Sequence, residues 1–144
     1  MLEIGNGGMT EEESKVHMTL WAVLAASLLA GNDLREMSPA IAAILLNTEV
    51  IAVDQDKEGK QGDRISKSDR EIWARALSGN RQAVALFNRG TEAAEITVPW
   101  SDLGLKSTPP RARDLWAHKD LNLSGQQYTT AVAAHGVVFL LLGN

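Results

Sequence analysis

The spacing of apolar residues changes near residue 57. Before it, apolar positions recur at helical intervals; after it, they come as short alternating runs separated by Gly, Ser, Asn and Pro. Val16, Leu20, Val23 and Leu24 form a stripe, widened by Trp21, Ala22, Ala25 and Ala26, and predict a helix from Glu11 to Ala26. Thr10 stands three residues before Glu13, a capping-box spacing, and Glu11 and Glu12 put negative charge on the first turn, where the helix dipole favours it. A helix this apolar needs cover from its neighbours. Ahead of it, Met1–Ile4 reads as the end of a strand and Gly5-Asn6-Gly7-Gly8 as a loop. Ser27–Ala30 predicts a short buried strand ending at Gly31-Asn32-Asp33. Ser38-Pro39 is an N-cap followed by proline at the first helical position, opening a helix Pro39–Leu46 that stops at Asn47. Val50–Val53 reads as another short apolar strand. Strand end, helix, strand, helix is the order of βα units.

Residues 57–68 are polar and contain Gly59 and Gly62, which sets the expected boundary between a unit 1–57 and a unit 58–144. Beyond it, Glu71–Leu77 alternates, with Ile72, Ala74 and Ala76 on one side and Trp73 and Leu77 on the other. The turn Ser78-Gly79-Asn80 and the run Gln82–Phe87 complete a hairpin. Glu95–Val98, Ala112–Ala117, Leu121–Leu123, Tyr128–Ala133 and Val137–Leu142 follow. Trp100–Leu105 reads as a connecting loop, Pro109-Pro110 as a break, and His135-Gly136 as a tight turn. About seven short strands at this spacing predict an antiparallel sandwich or barrel. The fold class is thus α+β, with βα units first and a β-sandwich after them.

Length limits the first part. A chain of 144 residues is too short for a complete (β/α)₈ barrel, which needs roughly 200. With 44% hydrophobic and 22% charged residues, wholesale disorder is excluded. The net charge of −4 and the lack of any Lys/Arg cluster argue against a nucleic-acid or membrane-surface partner. With no cysteine, disulfides, thiolate metal sites and a Cys nucleophile are all excluded, and the redox compartment stays undetermined. No basic residue precedes Lys15, so no signal peptide is expected. The longest apolar stretch, Trp21–Ala30, is about half the length of a bilayer-spanning helix.

The candidate chemistry is sparse. Glycosidase-type acid/base work needs two carboxylates facing one another across a substrate. Glu11, Glu12 and Glu13 sit at a helix start, where capping explains them. Asp54 and Asp56 fit turn chemistry. Asp33 lies at a strand end, where barrel enzymes hold active-site residues, although capping the next turn explains it too. His17, His118 and His135 are scattered over helix, loop and hairpin, so no metal site is expected. The glycine loop lacks the spacing and lysine of a phosphate-binding loop, and no cofactor is expected. Trp21, Trp73, Trp100 and Trp116 read as core. On this reading no complete catalytic site is present.

A resemblance extends this picture. Met1-Leu2-Glu3-Ile4-Gly5-Asn6-Gly7-Gly8 resembles the M-L-x-I-G-N-x-G motif of glycoside hydrolase family 27, the α-galactosidases and α-N-acetylgalactosaminidases. Leu20-Trp21-Ala22, Gly31-Asn32-Asp33-Leu34-Arg35, Ser38-Pro39, Val50 to Asp56 and Gly59-Lys60-Gln61-Gly62 continue the match in order and spacing. So do Trp73-Ala74-Arg75, Leu77-Ser78-Gly79 and Val84 to Arg89. Asp54 where Asn is usual, and Lys57-Glu58 in place of Pro-Leu, are departures. The resemblance implies the last two βα units of a (β/α)₈ (TIM) barrel followed by a C-terminal antiparallel β-sandwich. It also implies a retaining mechanism with two aspartates, one as nucleophile and one as acid and then base. The family's two aspartate motifs lie upstream of the matched segment and do not occur here, so no catalytic residue carries over. Met1 matches a residue that lines the family's galactose pocket, and it is the one substrate-binding position implied.

The expectation is therefore a fragment of an α-galactosidase-like hydrolase, read from a start inside the family motif and inactive alone. Its α-galactoside substrate would be met only in the full-length enzyme. The alternative is a stand-alone β-sandwich serving binding or assembly. Either way, the barrel-facing sides of Trp21–Ala30 and Ile41–Leu46, left bare, favour self-association.

Overall fold

A computed structural model describes residues 1–66, 68–106 and 110–143. Its element order is α1 (Glu11–Val23), α2 (Pro39–Leu45), α3 (Thr48–Asp54), then strands β1 (Asp63–Arg64), β2 (Arg70–Leu77), β3 (Arg81–Asn88), β4 (Ala94–Pro99), β5 (Arg111–Asp114), β6 (Lys119–Leu121), β7 (Gln127–Val132) and β8 (Val137–Gly143). The strands build two antiparallel sheets. The larger has the order β1-β2-β3-β8-β5-β6, and the smaller pairs β4 with β7. Pro109 of the expected break lies outside the described residues.

Period-2 alternation explains the layering. Along β2, β3 and β8 one set of side chains, Ile72, Val84, Leu86, Leu140 and Leu142, meets Ile96, Val98 and Val132 of the small sheet, with Trp100 and Leu103 between. The other set, Leu77, Ala83, Ala85, Phe87, Val137 and Phe139, meets Met18, Ala22 and Val23 of α1 and Val50 and Val53 of α3. The large sheet is therefore covered by the small sheet on one face and by helices on the other. A strand that is apolar on both faces requires this double cover.

The expected hairpin is present: β2 and β3 pair from Arg70↔Asn88 to Leu77↔Arg81. The capping box is formed, with the Glu13 amide donating to Thr10 Oγ1 at 3.2 Å and the Thr10 amide donating to Glu13 Oε2 at 2.8 Å. Ser38 caps α2 with Pro39 in its first turn.

Several local expectations are corrected. Val50–Val53 is helical, within α3. Asn47 ends α2 and also caps α3, its side-chain oxygen accepting from the Glu49 and Val50 amides. A β-branched run resembles a strand in sequence, but the cap and the core-facing spacing of Val50 and Val53 override that. Helix α1 stops at Val23, three residues before the expected Ala26. The Ala26 amide donates to Trp21 O at 3.1 Å, and the Ala25 amide to Ala22 O at 3.4 Å. Ala25 has φ +53°, so these two bonds form a Schellman ending built on alanine rather than glycine. Ser27–Ala30 contributes a single parallel bridge, Ala30 to Leu2, and not a full strand. Among the described residues, Leu2 is its one bridge partner. The expected strand Ala112–Ala117 ends at Asp114, because Asp114 Oδ1 accepts from the Trp116 and Ala117 amides and turns the chain. Leu121–Leu123 shifts to β6, and Trp100–Leu103 is a 3-10 turn within the expected loop. The polar stretch 57–68 contributes β1, which pairs with β2.

Candidate functional site

The mouth of the βα part is built where Leu2 and Ala30 run side by side. The Leu2 amide donates to Leu29 O at 2.7 Å, and the Gly31 amide donates to Leu2 O at 3.1 Å. A Cβ at Gly31 would lie 2.6 Å from that Leu2 oxygen and 3.5 Å from the Met1 Cβ, so glycine lets the two backbones close. Met1 stands beside the pair with 73% of its surface exposed, whereas Leu2 and Ile4 are buried. The loops leaving both segments sit together. A Cβ at Gly5, which has φ +92°, would come within 3.1 Å of Asn32 Nδ2. Asn32 Oδ1 is buried with no hydrogen-bond partner among the described residues. Barrel enzymes gather their chemistry at the C-terminal ends of parallel strands such as these.

The acidic candidates are occupied otherwise. Asp33 caps the 3-10 turn Leu34–Glu36, accepting from the Arg35 amide and from both sides of its guanidinium at 2.9, 3.0 and 2.6 Å. The Arg35 guanidinium holds its carboxyl below the usual range. Asp56 ties the end of the polar linker to the β2–β3 turn, accepting from the Ser78 amide and hydroxyl at 2.9 and 2.7 Å. Asp54 is buried beneath the sheet, and that burial pushes its carboxyl up. Glu11 and Glu12 pair with Lys15 on the surface of α1. Among the histidines, His17 stacks on Trp21 with ring centroids 4.2 Å apart, and burial lowers its pKa. His118 Nδ1 lies 2.6 Å from Glu49 and His135 Nδ1 lies 3.1 Å from Glu13. Trp100 is in the sandwich core, and its indole donates to Gly125 O at 3.0 Å. Trp21, Trp73 and Trp116 are half-buried.

A set of polar ties across the seam between helices and large sheet had no signal in the pattern of apolar positions. Arg75, 1% exposed on β2, donates to Ala22 O and Asp54 O, the carbonyl ends of α1 and α3. A cation is favoured there by both helix dipoles. Asn47 donates to Leu115 O at 3.0 Å, and the Trp116 indole donates to Thr19 Oγ1 at 2.9 Å. Glu49 receives both a bidentate Arg113 and His118. The Arg113 hydrogen bonds, and then His118, outweigh burial and hold the Glu49 carboxyl down to about 2. At Gly62 the amide donates to Val23 O at 2.7 Å, where a Cβ would meet Val23 Cγ1 at 2.7 Å. One clue was available for Arg75: it shares the helix-facing side of β2 with Trp73 and Leu77, so a charge at that position needed a partner across the seam.

Comparison with known proteins identifies both parts. Residues 1–56 match the family described as alpha galactosidase A, and residues 67–142 match the alpha galactosidase C-terminal beta sandwich domain. The α-galactosidase of Coffea arabica is 52% identical over 137 residues, covering 94% of this chain and 36% of that protein. Human α-galactosidase A is 47% identical over 153 residues, covering 100% of this chain and 36% of the human one. Among solved structures, α-galactosidase I from Mortierella vinacea superposes with a TM-score of 0.94 at 39% identity, over 99% of this chain and 38% of that one. The chain thus spans about a third of the length of these relatives.

Proposed function

The chain belongs to the α-galactosidase family of glycoside hydrolases, and from that premise we propose that it forms the closing third of a retaining hydrolase of terminal α-galactosides and has no activity by itself. In this reading residues 1–57 are the last two βα units of the catalytic barrel and residues 58–144 are the sandwich. The chain supplies one wall of the sugar pocket through Met1, and no catalytic carboxylate. The observation that carries the reading is the parallel Leu2–Ala30 pair with Met1 exposed beside it. The loops beside that pair hold Asp33, whose two oxygens are both committed to Arg35. Without a nucleophile and an acid partner, several orders of magnitude of rate are lost.

The test is covalent grafting. The part of the Coffea arabica enzyme that precedes its match to Met1 is fused to this chain, and aryl α-galactoside hydrolysis is followed. The chimera is expected to hydrolyse the substrate, and the 144-residue chain alone to stay at the level of a mock preparation. Galactose release by the chain alone would overturn the claim of inactivity; an inactive but folded chimera would overturn the hydrolase reading. In an active chimera, replacing Met1 by Ala is expected to raise KM several-fold, as one lost apolar contact to a sugar does, with kcat less affected.

A further inference from the structure

Resting on that reading, we propose that His135, on the β7–β8 turn of the sandwich, is a positioning residue for the sugar pocket: it holds Glu13 at the start of α1 and so fixes the loop that follows the Met1–Ile4 segment.

The turn is built to present this side chain. Asn88, 3% exposed at the end of β3, donates from Nδ2 to Glu92 O at 2.8 Å and to Val132 O and Ala133 O, both at 3.1 Å. Its backbone amide donates to Gly136 O at 3.0 Å, and the His135 amide donates to Gly90 O at 3.2 Å. Held in this way, His135 sits at φ +52°. That left-handed conformation is costly for a residue with a Cβ and persists only where the surroundings impose it. His135 Nδ1 lies 3.1 Å from Glu13 Oε1. Gly136 leaves room for the approach, since a Cβ there would lie 3.4 Å from Glu12 Oε2.

Glu13 divides its oxygens between the helix start and the sandwich. Oε2 accepts from the Thr10 amide at 2.8 Å, closing the capping box, and Oε1 faces His135. The Thr10 amide first, and then His135, hold this carboxyl below its usual range. Apolar packing does not fasten this turn of α1. The buried apolar residues of the helix begin at Met18, and a cleft of about 350 Å³, lined by Glu13, Val16, Leu20, Phe87 and His135, separates the helix from the sheet. Thr10 also ends the loop Gly5–Met9, whose start is pressed on the second βα unit: a Cβ at Gly5 would meet Asn32 Nδ2 and Ile41 Cγ2, both at 3.1 Å. The Glu3 amide donates to His17 Nε2 of α1 at 3.4 Å, and Asn6 Nδ2 donates to Glu3 Oε2 at 2.8 Å. A shift in the first turn of α1 is therefore passed to the segment that carries Met1, and a misplacement of about 1 Å far from the chemistry can cost a large factor in rate.

The experiment compares His135→Ala and His135→Asn, by amide exchange in the 144-residue chain and by steady-state kinetics in the covalent chimera. Asparagine sets its Nδ2 two bonds beyond Cβ, as the imidazole sets Nδ1, and it tolerates the left-handed region. His135→Ala is expected to speed exchange of the Thr10 and Asn6 amides about fivefold while the β3 amides keep their rates. The thermal midpoint is expected to move by no more than about 2 °C, because the pair is partly exposed. In the chimera, KM for the aryl α-galactoside is expected to rise about threefold or more with kcat less affected. His135→Asn is expected to restore both readouts, and in a Glu13→Ala background His135→Ala is expected to add nothing. Unchanged exchange at Thr10 and Asn6, or an unchanged KM in an active chimera, overturns the proposal. So do additive effects of the two alanine changes, and so does a lowered midpoint with faster exchange across β3, which would make His135 a structural residue only. If the unsubstituted chimera is inactive, the hydrolase reading falls, while faster Thr10 and Asn6 exchange that His135→Asn restores would still uphold the hold of His135 on the loop.

Discussion

At the scale of single residues, three side chains carry forces that composition does not show. Ala25 ends α1 in the left-handed region, at φ +53°. That conformation costs an alanine roughly 1–2 kcal/mol, part of which glycine would return as greater freedom of the unfolded chain. Ala25→Gly is therefore expected to stabilise the chain by about 0.5 kcal/mol in urea unfolding, although it replaces the best helix former with the second-worst. Arg75 serves two helix ends at once. Arg75→Met would take the side-chain donor from Asp54 O and leave Ala22 O with backbone amides alone, and a loss of about 1–3 kcal/mol is expected in the same measurement. Glu49 sets a pH dependence. Its carboxyl titrates at about 2 in the fold against an ordinary 4.5. A group held down in this way adds stability above pH 4.5, and that contribution is lost as pH falls toward 2. Glu49→Gln should flatten the acid limb of unfolding midpoint against pH and cost about 1 kcal/mol at neutral pH, since the pair is partly exposed.

At the scale of elements, alternation proved a firm guide and β-branching a poor one. Each long strand of the large sheet sends one face to the small sheet and one to the helices, as the two-sided apolar pattern of Glu71–Leu77 required. Helix α3 shows the opposite case: four apolar residues, two of them valines at i and i+3, are wound into a helix by Asn47. Glycines report where elements approach closely. Gly62→Ala would set a Cβ 2.9 Å from Ala74 O and 2.7 Å from Val23 Cγ1. Faster amide exchange at Gly62, whose N–H binds Val23 O, is the expected sign that α1 has lifted from β2. Gly31 has the same role between Leu2 and Ala30, so a bulky residue there would open the mouth without touching the sandwich.

At the scale of the whole molecule, the seam is the main core. It joins residues from Leu2 to Val53 with residues from Leu77 to Phe139. The sandwich part, matched over residues 67–142, is long enough for a small core of its own, and Trp100 with the small sheet provides one. Expressed alone, it is expected to fold with a lowered thermal midpoint and to bind a hydrophobic dye, because Ala83, Ala85, Phe87 and Phe139 lose their cover. Residues 1–57 alone are expected to give the circular dichroism of an unfolded chain, since two βα units cannot close a barrel.

The sequence by itself determined the local vocabulary. The capping box at Thr10, the Ser38-Pro39 start, the β2–β3 hairpin and the two-faced strands follow from side-chain chemistry within a few residues of one another. The motifs from Met1 to Arg89 carried the family resemblance in the same way. What Arg75 and Glu49 bind, and how closely Gly31 approaches its neighbour, were decided only by tertiary structure. Each depends on a partner far along the chain: Ala22 and Asp54 for Arg75, Arg113 and His118 for Glu49, Leu2 for Gly31. Spacing within a segment sets which face is apolar, but the energy of a buried charge or an unpaired backbone group is fixed by what the fold brings against it.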